Sequence, residues 1–386
     1  MTSDAIAPLE PPSLDHYKLG YRPGLDGIRA VAIGVVLVFH FIGGLDPRRM
    51  ASPLSFPGGF WGVDLFFVLS GFLITSLLLE EKQRRGAISY TGFYRRRAYR
   101  LLPALFAMLL VQLIYTIVYG DPLAKNIENL LPGMFYYANW WQALGHPLAF
   151  GTGQTWSLSV EEQFYFFWPV LLVAILHFRT RARVIAPFVA LILVAVVSRG
   201  LIFHFSDNNW PATYVQTETR LDGLMFGALF SYLLHTGWRP GTWAKPLGYL
   251  GAAFLALMLF TTHAYDHWLF YGGYTLIAVA CLAFLNLALD ETTLVNRILS
   301  WKPIRLIGLR AYSIYIWHLI VIQAVFRSMR PGHVDRRFVV AAIFIALASE
   351  VSYRFIEKPF LIIKDRPRKT DAAGASGSVR GAPAGG

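Results

Sequence analysis

The sequence predicts an all-α fold, a polytopic bundle of about ten membrane-spanning helices with both termini cytoplasmic. Three observations carry that expectation. Hydrophobic residues make up 55% of the chain and charged residues 15%, against about 45–50% and 25% in soluble domains. A mean hydropathy of +0.46 would leave the surface of a water-soluble chain largely apolar. The charged residues, finally, fall in the gaps between apolar runs, where membrane topology puts them. A net charge of +12 distributed in that way does not mark a nucleic-acid binder. The single cysteine, Cys281, excludes a disulfide scaffold.

Residues 1–20 form a cytoplasmic N-terminal segment with Asp4, Glu10 and Asp15 and no apolar core, so they are not expected to be a cleaved leader. The first five spans are expected near 27–45, 59–79, 101–119, 156–178 and 184–205. Five more are expected near 220–236, 247–262, 269–289, 306–326 and 338–357, each approaching the width of the hydrocarbon core. The aromatic stretch 130–141 is too short to cross and is expected to lie at the interface. Lys and Arg number 24 on one side of these spans and 9 on the other, which sets the N-terminus in the cytoplasm. The transmembrane domain covers 21–362. Residues 363–386 form a cytoplasmic tail whose Gly, Ala, Ser and Pro content predicts disorder.

Ionisable groups inside spans are costly and mark function by default. Arg29 and His40 lie eleven residues apart on the first span. They should share a helix face, separated by about 16 Å along the axis. Asp64, Glu161 and Asp222 enter at the outer ends of their spans, so all three are expected near the depth of His40. Imidazole beside carboxylate is a general-base arrangement, in which the carboxylate fixes the tautomer. The plainer reading is a set of interhelical hydrogen bonds, with Asp222 paired to Arg220. On the cytoplasmic side, Arg95, Arg96, Arg97 and Arg100 precede the third span. They read either as a topology signal against anionic lipid or as a phosphate clamp, for which Arg97 and Arg100 share a face.

At these residues the chain resembles the acyltransferase 3 family of bacterial integral-membrane O-acyltransferases. Arg29 with His40 matches the family's first-span signature, and Arg97 with Arg100 its R-x-x-R motif. Residues 62–72 (GVDLFFVLSGF) and 156–165 (WSLSVEEQFY) are similar to further family blocks. So are 220–224 (RLDGL), 312–318 (YSIYIWH) and 357–360 (EKPF).

The resemblance implies transfer of an acyl group, expected to be acetyl, from acyl-CoA to a hydroxyl of a saccharide, lipid-linked glycan or glycosylated metabolite. It implies His40 as the essential group; the depth argument adds Glu161 and Asp64 as candidate catalytic carboxylates that compete for the place beside His40, with Glu161 the favoured partner. Arg29, Arg96, Arg97 and Arg100 are expected to bind acyl-CoA, with Asp222, Tyr315 and His318 in support. His40 either deprotonates the acceptor or carries the acyl group itself. No tightly bound cofactor, metal or nucleic acid is expected; acyl-CoA is a co-substrate, and the plasma membrane is the expected location. Many relatives add a C-terminal extracytoplasmic domain; a stand-alone enzyme without one is expected here, and with it a smaller or lipid-carried acceptor. The alternative is a proton-coupled transporter of a small polar solute, with His40 and the carboxylates as its relay.

Overall fold

The computed structural model describes residues 14–43, 56–178, 180–329 and 334–364. The N-terminal segment up to residue 13, and the expected tail from residue 365, lie outside the described residues. Among the described residues there are helices and no strands. In chain order they begin with α1 (Pro23–Val38), extended by a π-helical turn (Phe39–Gly43), then α2 (Trp61–Arg85) and α3 (Tyr90–Tyr119). The short α4 (Leu123–Met134) and α5 (Ala138–Ala143) lead to α6 (Thr155–Ile175) and α7 (Arg181–Phe205). Next come α8 (Trp210–Val215), α9 (Thr217–His235), α10 (Ala244–Thr261) and α11 (Tyr274–Leu289). The chain closes with α12 (Leu294–Leu299), α13 (Lys302–Leu309), α14 (Ala311–Ser328), α15 (Val334–Val351) and α16 (Lys358–Lys364).

Among the described residues, eight helices are long and apolar enough to cross a bilayer, or nine if α13 and α14, bent by 65°, form one span. The remaining expected span, 220–236, sixth in chain order, is helix α9, which is not among the nine. Its first turns carry Glu218, Arg220 and Asp222, and this polarity sets it apart from its neighbours. Helices α4 and α5, over the expected interfacial stretch 130–141, are 12 and 6 residues long, too short to cross.

Helix α2 is central. Leu65, Phe67, Val68, Leu69, Phe72 and Ile74 are all buried, so no side of this segment faces lipid. It joins two apolar cores, Phe67 belonging to one and Phe72 to the other. Helices α3 and α7 instead expose Leu110, Ile117, Val118, Leu193 and Val197, as lipid-facing surfaces do.

Helices α2 and α9 touch backbone to backbone. A Cβ on Gly71 would lie 1.9 Å from the Leu224 carbonyl oxygen, and one on Gly227 would lie 2.0 Å from that of Val68. Only glycine allows this approach, which is how helices gain packing where lipid supplies no hydrophobic drive. It also brings the charged start of α9 against the start of α2.

Candidate active site

Two cavities meet at a wall that includes Val63 and Tyr315, which line both. The larger, about 710 Å³, is lined by Arg29, Arg96, Arg97, Arg100, Glu161 and Tyr165 among others. The smaller, about 210 Å³, lies against His40, Gln154, Trp156 and Tyr214.

The arginines reach the larger cavity because α3 starts just before them. Ser89 caps that helix by accepting the Gly92 N–H at 3.2 Å. The four residues from Arg97 to Arg100 make one turn, so both guanidinium groups turn to the same cavity. Of the four arginines named, two are already neutralised: Arg29 by Asp26 at 2.5 Å and Arg96 by Glu81 at 2.9 Å. Among the described residues, Arg97 and Arg100 form no ion pair, and Arg97 lies over the Tyr165 ring at 4.4 Å. Glu161 lines the same cavity and accepts a hydrogen bond from Ser70 at 2.5 Å.

At the other end of α1 the helix loosens into its π turn, a feature frequent at functional sites, and His40 lies in that turn. Its partner is His318 of α14, which is fully buried, at 3.2 Å from Nδ1 of His40 to Nε2 of His318. His318 Nδ1 lies 2.6 Å from the Tyr315 carbonyl oxygen. A carbonyl only accepts, so that nitrogen carries the proton, and a neutral His318 accepts at Nε2. His40 therefore donates from Nδ1 and keeps a lone pair on Nε2. The Tyr315 hydroxyl is held by Ser157 and by the Gln154 carbonyl, which stiffens the wall between the cavities.

The expected carboxylate beside His40 is not found among the described contacts. Asp64 is bonded at 2.6 Å by Arg220, and neither Asp64 nor Glu161 is among the residues lining the His40 cavity. In a low-dielectric interior a carboxylate takes the cation that reaches it, and the contact of α2 with α9 brings Arg220 within reach. The expected Asp222–Arg220 pair is also replaced. Asp222 is bonded by Arg199 at 3.0 Å and by Thr275 at 2.6 Å. Residues two apart on a helix point nearly opposite ways, which keeps Arg220 from its neighbour.

Some residues of the two cavities carried no assignment from the sequence. Tyr165 and Glu357 line the larger cavity, and both stand within stretches that resemble the family. Trp156 opens such a stretch, and Gln154 lies two residues before it. Tyr214 sits on the short α8, and its sequence surroundings gave no signal. Among the described residues, no three His, Cys, Asp or Glu side chains are placed to hold a metal ion.

Residues 22–352 match a family model described as an acyltransferase domain. The chain is similar to O-acetyltransferase OatA of Staphylococcus aureus strain NCTC 8325, 33% identical over 368 residues, covering 89% of this chain and 58% of that protein. The same protein of strain COL gives the same figures, 33% over 368 residues with 89% and 58% covered. The chain thus spans 58% of the length of these relatives. No solved structure matches it.

Proposed function

Because this chain belongs to the acyltransferase 3 family, we propose that it is a multi-pass membrane O-acyltransferase that moves an acetyl group from acyl-CoA to a hydroxyl of a saccharide or sugar-bearing acceptor. The observation that carries the reading is the pair of cavities, one lined by Arg97 and Arg100, the other by His40, divided at Tyr315 and Val63. The name of the relatives, O-acetyltransferase, supports the acetyl group.

In this proposal Arg97 and Arg100, assisted by Arg29, hold the phosphates of coenzyme A in the larger cavity, in the plasma membrane with both termini cytoplasmic. Guanidinium groups suit phosphate because they bind it bidentately. Arg96, tied to Glu81, plays a lesser part. Glu161 lies among these cations, and we give it the role of holding them in place. The thioester arm then points at the wall beneath His40.

His40 Nε2 takes the proton of the acceptor hydroxyl as its oxygen attacks the thioester carbonyl. The carbon–sulfur bond breaks, and the proton returns from His40 to the leaving thiolate, giving free coenzyme A and the acyl ester. His318 orients His40 and fixes which nitrogen is basic. Asp64 and Asp222 act through the frame, each held by an arginine.

The test is acceptor-dependent release of free coenzyme A from radiolabelled acetyl-CoA by the purified protein in nanodiscs. Label appearing on the acceptor, and lost in His40→Ala, supports the reading. A proton-coupled transporter would move its solute unchanged and release no thiol; that outcome would replace the enzyme with the carrier.

A further inference from the structure

Two residues that line the small cavity beside His40, Gln154 and Gln142, each carry a buried side-chain oxygen without a partner among the described residues. Gln154 is 2% exposed, and its Nε2 donates to the Ile316 carbonyl at 2.8 Å. A carbonyl cannot donate in return, so the amide cannot be turned over, and Oε1 is the end left unpaired. Gln142 of α5 reaches the same cavity and likewise leaves a buried Oε1 unpaired. Buried acceptors left without donors are unfavourable, and native structures seldom keep two in one place.

A ligand that satisfies both must bring hydrogen-bond donors. It should carry no charge, since no Asp, Glu, Lys or Arg is among the described residues lining the cavity. Trp156 and Tyr214 form an aromatic corner, with ring centroids 4.9 Å apart and planes at 56°. Such rings offer apolar faces to the C–H face of a sugar. At about 210 Å³ the cavity is smaller than the roughly 300–1,000 Å³ of pockets that take drug-sized molecules. It has room for one ring and not for a polymer.

We propose that this cavity is the acceptor subsite and takes a single neutral sugar ring. Gln154 Oε1 accepts a hydrogen bond from a hydroxyl next to the one that His40 deprotonates, and Gln142 Oε1 accepts from a second. The reacting hydroxyl rests on the acyl-transfer reading above, whereas binding of the ring does not.

The experiment titrates methyl β-D-glucopyranoside, methyl N-acetyl-β-D-glucosaminide and myo-inositol, without donor, into the purified full chain in nanodiscs. Calorimetry gives affinity, and tryptophan fluorescence reports on the ring beside Trp156. At least one probe should bind, and Gln154→Leu and Gln142→Leu should each weaken it about two- to tenfold. Coenzyme A binding by the same samples should stay at the wild-type value. If Gln154→Leu loses its melting transition, Gln142→Leu decides. Wild-type affinity in the folded variants, or no binding of any probe by the wild type (a cavity that holds water only), overturns the subsite. Probe binding that depends on Gln154, in a protein that transfers no acetyl group, would overturn the acyl-transfer reading and leave the subsite standing.

Discussion

His40 and His318 face each other nitrogen to nitrogen at 3.2 Å, with ring centroids 4.9 Å apart and planes tilted by 45°. That is a hydrogen bond between two imidazoles rather than a stack. A carboxylate in the place of His318 would add a negative charge beside the base. A second imidazole adds none, and passes its hydrogen bond on to the Tyr315 carbonyl.

His40→Ala should lower turnover by about 10²–10⁴-fold in protein that still folds, the usual worth of a general base. A variant that kept a tenth or more of wild-type turnover would remove His40 from that role. His318→Phe should lower kcat by about tenfold or more while the donor KM stays put, because it misaligns the base without touching the larger cavity. Steady-state kinetics with each substrate varied in turn separates the two effects.

Arg97→Ala and Arg100→Ala should each raise the donor KM. Charge-assisted contacts of about 1.5–3 kcal/mol correspond to about 10–150-fold. The defect should deepen with added salt, and Arg96→Ala should show a smaller one because Glu81 already holds that side chain. Unchanged donor constants at both positions would make the basic run a topology signal.

Glu161→Gln keeps the shape and removes the carboxyl group that shares the larger cavity with Arg97 and Arg100. The donor KM should rise, by less than in Arg97→Ala, and turnover at saturating donor should stay above a tenth of wild type. Collapse of turnover at saturating donor, with an unmoved KM, would give Glu161 a part in the chemical step.

Arg220→Leu should destabilise the protein by about 3–5 kcal/mol, since it leaves Asp64 buried without its cation. The double variant Asp64→Leu with Arg220→Leu should recover most of that loss. Melting in detergent followed by tryptophan fluorescence gives the cycle. Additive losses would mean that the two side chains do not act as a pair.

Much of the architecture was legible in the sequence because a bilayer demands long apolar helices, and these announce themselves in composition. Nine of the expected spans coincide with helices, or a bent helix pair, able to cross. The basic run at Arg97 and Arg100 was legible for the same reason, standing where an apolar run begins. Pairing between helices was not. Depth along a helix can be counted, but its rotation against a neighbour is set by contacts such as Gly71 on Leu224. That rotation decided that Asp64 meets Arg220 and that His40 meets His318. His318 was reached only through the family resemblance, and Gln154 looks like any loop glutamine until its amide is followed to Ile316.

The shared wall of Val63 and Tyr315 has an electrical consequence. A membrane potential drops mainly across whatever is driest, and moving one elementary charge through 100 mV takes about 2.3 kcal/mol. Two cavities that share the Val63 and Tyr315 wall would, where each opens to its own side of the membrane, concentrate that voltage across those side chains. An acetyl group is neutral and crosses such a field without electrical work, whereas coenzyme A, with its phosphates, would not. On the proposed reading, such a partition would sort the two halves of the thioester by charge, passing the fragment that does not feel the voltage and retaining the one that does.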